Sequence, residues 1–147
     1  MEEWVYFGLL AAVSFAIAGL AAKVALNKDY MGLDVRTAAV LTALGVSAVF
    51  IAFYFLSGGV KAVSLSPTAA AAGIAIGLFW ALGQILIFTA LLRGADAARM
   101  APIYNMNTLL VVVFGIILLH EIPDKTQTLR VVVGAILIVA GGILVGG

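Results

Sequence analysis

"PTAAAAGIAIGLFWALGQILIFTALL", residues 67–92, contains no charged side chain. An α-helix needs about 20 apolar residues to cross a hydrocarbon core of roughly 30 Å, and this stretch is long enough. Pro67 suits the first turn of such a helix, where its missing N–H costs nothing. The stretch is therefore a membrane span, and its neighbours repeat the pattern. Charge-free intervals run over residues 4–22, 37–60, 62–92, 100–119 and 131–147. The expected fold is all-α: a bundle of five transmembrane helices.

Composition supports the same solvent. Hydrophobic residues make up 65% of the 147-residue chain and charged residues 10%, whereas soluble domains run near 45–50% apolar and about 25% charged. A soluble chain of this size could not hide so much apolar surface. The lipid bilayer is the expected partner, and the expected location is the cell membrane as a multi-pass protein. With a net charge of +1, nucleic acid is excluded as a partner. The chain has no cysteine, hence no disulfide framework or thiolate nucleophile. The start, "MEEWVYFGLL", lacks the basic region of a signal peptide, so the first apolar run counts as a permanent span.

The single domain, residues 1–147, reads as helices over Glu3–Leu26, Val35–Leu56, Pro67–Leu92, Ala97–Leu119 and Leu129–Val145. Trp4 and Tyr6 stand where aromatics anchor a membrane interface. The short turn "RGADAAR" makes the third and fourth helices antiparallel neighbours. Lipid gives no hydrophobic drive between helices, so close packing needs small residues. Gly73 and Gly77 share a stripe with Ala81; Gly134 and Gly141, seven apart, share another. Each stripe either packs helices within the chain or meets a second copy. For Gly134 and Gly141, on a terminal helix poor in polar residues, the expectation is a dimer interface.

Five spans put the termini on opposite sides. Lys61, Lys125 and Arg130 then lie with the N-terminus, against Lys23, Lys28, Arg36, Arg93 and Arg99. The bias for positive charge on the cytoplasmic side is thus weak, and a near-balanced chain can insert both ways. Many transporters are pairs of inverted repeats with the site between them. An unfused repeat reaches that arrangement only by inserting in both orientations.

The stretch "APIYNMNTLL", residues 101–110, places a proline and two asparagines inside an apolar run. Pro102 frees the carbonyl of Ala98 and makes a kink there. On a continuous helical wheel Tyr104, Asn107 and Thr108 share a face, Gly115 lies farther along it, and Asn105 points nearly opposite to Asn107. In the third helix Trp80, Gln84 and Phe88 stand four apart and form a plausible wall for an amphiphilic ligand. For each polar residue the alternatives are a cavity lining and an interhelical hydrogen bond worth about 0.6–2 kcal/mol. Lys23, in "GLAAKVAL", either snorkels to the interface or meets an anionic group. Ser14 lies nearer the midplane, on the opposite face, and either lines the cavity or bonds its own backbone. The candidate substrate-binding set is Asn107, Tyr104, Thr108, Gln84, Trp80, Asn105, Ser14 and Lys23. His120 and Glu121 are read as interfacial.

The chain lacks HExxH, GxSxG, paired intramembrane aspartates and a Gly-rich phosphate loop. Neither an enzyme, a metal site nor a cofactor is expected. No Asp or Glu lies deep in a span, so the usual proton-coupling carboxylate is lacking.

"ALGQILIFTALLRGADAARMAPI", "FGIILLHEIPD" and "LRVVVGAILIVAGGILV" resemble an EamA-type domain of the drug/metabolite transporter superfamily. Ala90 and Leu91, Pro102, Glu121, and Gly134, Leu137, Ile138 and Gly141 occupy the places of that pattern, in which Glu121 follows the position of a glycine. Lys23 in "KVAL" resembles a lysine near the end of the first helix in many members. The chain departs from the pattern where "SFAIAG" replaces an early Trp-Gly pair. Most members carry ten helices as two fused inverted repeats, so five helices imply an inverted, antiparallel homodimer or an inverted partner chain. The ending is also similar to the small multidrug resistance family, but that family's glutamate in the first helix has no counterpart here. The resemblance implies a secondary transporter of small metabolites, amino acids or lipophilic compounds, working by alternating access as a dual-topology homodimer. A second class is a non-transporting membrane assembly subunit, or a half-transporter needing an inverted partner; single orientation and a monomeric state would favour it.

Overall fold

A computed structural model describes residues 3–58, 66–121 and 125–146, without the side chains of residues 125 and 126. Lys61 and its connector lie outside the described residues, as does the turn at residues 122–124. Every regular element among the described residues is a helix: α1 (Glu3–Leu26), α2 (Val35–Leu56), α3 (Pro67–Leu92), α4 (Ala97–Tyr104), α5 (Asn107–Leu118) and α6 (Lys125–Gly146). Five stretches are long and apolar enough to span a membrane, with α4 and α5 together forming the fourth, Ala97–Leu118. The chain divides into two compact units, Met1–Gly94 and Ala95–Gly147.

In the first unit α1, α2 and α3 all contact one another. Its buried apolar side chains gather at one end: Leu26 closes α1, Ala38 opens α2, and Phe88 and Leu91 end α3. The connector there wraps back onto α1. Leu33 N–H donates to Ala25 O at 2.8 Å and Met31 N–H to Val24 O at 3.4 Å, which supplies partners for carbonyls a helix end leaves open. Gly32 allows this turn with a φ of 63°, a conformation glycine adopts at no steric cost. Asp34 then caps α2, its carboxylate accepting from the N–H groups of Arg36 and Thr37, and Ser66 caps α3 through Ala69 N–H.

In the second unit α6 packs against both α4 and α5. The contact uses small residues. Ala135 is buried, and a Cβ on Gly142 would stand 2.8 Å from Met106 Cγ and 3.0 Å from the Pro102 carbonyl oxygen. At the far end of α6 the Arg99 guanidinium reaches Val145 O at 3.5 Å, placing a cation where the helix dipole favours one.

Two expectations need correction. The fourth helix is not continuous over Ala97–Leu119. It breaks at Asn105–Met106, one turn beyond the kinking proline, and regular α-helix ends at Leu118. The last helix starts at Lys125 rather than Leu129. The polar residues "KTQT" extend its first turns, because helical hydrogen bonding does not stop where hydrophobicity does.

Outside the small cores little of the chain is covered by itself. At most 11% of the tested 18-residue apolar stretch in any span is buried. Trp4, Phe7, Phe50, Phe53, Phe79 and Leu144 are among many large apolar side chains left open, as suits a surface solvated by lipid.

Candidate functional site

The break in the fourth span holds most of the polar candidates. Pro102 has no N–H for Ala98 O, and the ladder then tightens. Met106 N–H donates to Ile103 O at 3.2 Å, Thr108 N–H to Asn105 O at 3.1 Å and Leu109 N–H to Met106 O at 3.1 Å. These three-residue steps leave the carbonyls of Pro102 and Tyr104 without their usual partners four residues on. A tightened stretch inside a helix marks a hinge or a functional site. It lies roughly 12 Å along the span at 1.5 Å per residue.

Asn105 and Asn107 flank the break and are exposed; Tyr104 and Thr108 are half-buried. No side chain of these four bonds another described residue. The wheel that set Asn105 opposite Asn107 assumed a continuous helix. Residues 105 and 106 keep right-handed helical backbone angles in a tightened turn, and both amides stand on open surface. Gly115, seven residues beyond Thr108 on α5 and so on its face, is buried, with Glu121 Oε2 3.0 Å from where its Cβ would be.

A second feature belongs to the first unit. Ala39, Thr42 and Ala43 of α2 face Trp80, Gln84 and Phe88 of α3 across a recess of about 70 Å³. Phe88, 5% exposed, forms its inner end, and Trp80, 41% exposed, its open rim. Spacing by four put the three α3 residues on one wall. Thr42 opposite them was missed, because its signal depends on knowing that the Ala39/Ala43 face of α2 is the one that meets α3. Ligand pockets run near 300–1,000 Å³, so the recess is a partial wall rather than a complete site.

The remaining candidates stand apart from the recess. Ser14 Oγ donates to Leu10 O at 2.9 Å, bonding its own helix. Lys23 is half-buried in the last turn of α1. On α6 a Cβ at Gly134 or Gly141 meets nothing within 4 Å, whereas Gly142 is filled by Met106. The same open space surrounds Gly73 and Gly77 on α3. Among the described residues no cluster of His, Asp or Glu is arranged to hold a metal.

Five apolar spans, a helix broken within a span and unpaired amides beside the break fit membrane transport better than catalysis. Comparison with known proteins points the same way. No curated protein and no solved structure matches the chain. The model of the EamA-like transporter family matches residues 3–147, so this multi-pass membrane protein belongs to the EamA-like transporter family and is a drug/metabolite-type transporter rather than an enzyme.

Proposed function

We propose that the chain is a secondary transporter of small metabolites, amino acids or lipophilic compounds, working by alternating access as a dual-topology homodimer in the cell membrane. The observation that carries this reading is the break at Asn105–Met106. Irregular backbone at membrane depth is tolerated only inside protein or along a water-filled cavity, and broken helices form the substrate sites of many transporters. Asn107, Tyr104, Thr108 and Asn105 of the second unit and, separately, Gln84 and Trp80 of the first are the residues assigned to the substrate path. Ser14 and Lys23 are the outer members of the set.

Three observations support a dimer of opposite orientations. The spans are odd in number, the positive charge is nearly balanced between the two sides, and the Gly134/Gly141 face of α6 is open. Inverted pairing supplies the second repeat that encloses a site at the midplane.

The test is substrate uptake into vesicles reconstituted with the purified chain, screened over amino acids and lipophilic amines and amides. Asn107→Ala should lower the rate at least tenfold, with helicity and dimer content unchanged. Full transport and binding in that variant would remove Asn107 from the site.

A further inference from the structure

The lining of the α2/α3 recess is almost wholly apolar: Thr42 and Gln84 turn hardly any polar surface into it, and Ala39, Ala43, Ile85 and two aromatic rings supply its walls. The guest it suits is a hydrocarbon group. At about 70 Å³ it is far smaller than an ordinary ligand pocket, so it takes a length of one flexible chain rather than a compact molecule. Its rim, Trp80 and Ile85, stays exposed within a membrane span. Phe88, its inner end, belongs with Leu26, Ala38 and Leu91 to the buried cluster where α1 and α3 finish and α2 begins. Around and beyond that cluster the first unit carries Lys23, Lys28, Arg36 and Arg93 against Asp29 and Asp34. Positive charge is therefore in excess at the end of the unit nearest the recess. Arg36 stands directly outward of the recess walls. It precedes Ala39 by three residues and Ala43 by seven, which puts all three on one face of α2. Arg36 is exposed, and its guanidinium bonds no described residue. The neighbouring Asp34 carboxylate is held by the Arg36 N–H, the Thr37 N–H and the Thr37 hydroxyl.

We propose that this face of the first unit holds one anionic phospholipid, with its phosphate at Arg36 and one acyl chain lying in the recess. Two separate features converge on that occupant. The recess suits hydrocarbon, and a guanidinium on the same helix face suits phosphate, which it binds by charge-assisted hydrogen bonds. Roughly 10 Å of helix separates Arg36 from Ala43 at 1.5 Å per residue, a length that a lipid's glycerol and first methylenes cover. A helical side chain leans toward the N-terminus of its helix. The Arg36 guanidinium is thus carried outward to the level of the phosphates while its methylenes stay against the span. The excess of positive charge favours a net-negative head over a zwitterionic one. A second copy seated on the recess would leave the Arg36 charge unanswered, and a free anion would leave the recess empty. The proposal goes beyond the transport reading and does not rest on it. A substrate reaching Trp80 and Gln84 would first have to displace the chain.

Phospholipids brominated along the acyl chain quench an indole that they touch. The chain has two tryptophans, Trp4 and Trp80, so a Trp4→Phe background makes Trp80 the sole indole reporter. The protein is reconstituted in phosphatidylcholine vesicles with rising fractions of brominated phosphatidylglycerol or, in a parallel series, brominated phosphatidylcholine. Trp80 emission should be half-quenched at about a fivefold lower fraction of the glycerol lipid, the preference that one cation near the surface gives. Arg36→Gln should bring the two curves together, and Ala43→Leu, which fills the recess, should do the same. Trp4, read alone in a Trp80→Phe background, should show no preference, since it stands at the opposite end of α1. Circular dichroism and melting temperature must match the parent; if Ala43→Leu misfolds, Ala43→Val replaces it. Matching curves for the two lipids at Trp80, a preference that survives Arg36→Gln or the filled recess, or an equal preference at Trp4 would overturn the proposal. So would a Trp80 shielded from both lipids, since a second copy would then cover the recess.

Discussion

At the N-terminus of α2 the Asp34 carboxylate accepts Arg36 N–H at 2.8 Å and Thr37 N–H at 3.1 Å, together with the Thr37 hydroxyl. The Thr37 hydroxyl, followed by the Thr37 N–H, holds the carboxyl below its ordinary value of 3.8. A folded-state value lower than the unfolded one contributes stability that is complete above the unfolded value and is lost as pH falls through the folded one. The melting temperature in detergent should therefore drop on acidification below about pH 4. Asp34→Asn should keep a capped helix but lose that part of the pH dependence, and Asp34→Ala should lower the melting temperature even at neutral pH. An identical acid profile in the parent and Asp34→Asn would assign the dependence to another group. At the other end of the fourth span His120 holds a φ of 56°, in the place where the family pattern has a glycine. A left-handed residue with a Cβ costs roughly 1–2 kcal/mol. His120→Gly should accordingly raise the melting temperature slightly, and a lower one would show that the imidazole makes a contact worth more than the strain.

The elements are held by notches rather than by a broad core. Gly142 receives Met106 and the Pro102 carbonyl, so the broken helix and α6 meet at the break itself. Gly142→Val would drive a side chain into backbone oxygen as well as a thioether, and overpacking of this kind costs about 1–3 kcal/mol. Adding Met106→Ala should recover only part of the loss, because the carbonyl does not shorten. Gly134→Val, facing open space, should leave the isolated chain's melting temperature nearly unchanged. Thermal unfolding of the three variants in detergent compares these costs; full rescue by Met106→Ala would make the side chain the whole obstacle. If the break moves during transport, the Met106 contact is where it bears on α6.

For the whole molecule the decisive property is orientation. Single cysteines introduced into this cysteine-free chain report it through a membrane-impermeant reagent. A cysteine in the 27–34 connector should label in part of the population and stay protected in the rest, as the dual-topology dimer requires. Complete labelling or complete protection would fix one orientation and turn the search to an inverted partner chain. The same surface logic applies to α6. Gly134→Leu and Gly141→Leu should lower dimer content in detergent without unfolding the monomer, and unchanged dimer content would place the interface elsewhere.

The sequence by itself determined the solvent and the number of spans, because apolar length and charge-free intervals are properties of the chain that no packing can alter, and its motifs carried the likeness to the family. Pro102 and its neighbouring asparagines also announced an irregular fourth helix. Tertiary structure decided where that helix breaks, since the position depends on which carbonyl Met106 and Thr108 bond and on the glycine notch across from them. It likewise decided that Gly142 and Ala135, rather than Gly134 and Gly141, face α4 and α5. Adjacent stripes of small residues look alike in a linear sequence, and only contact with a neighbour distinguishes a filled stripe from an open one. Thr42 was beyond the reach of spacing for the same reason: a residue becomes part of a recess only when another helix supplies the opposite wall.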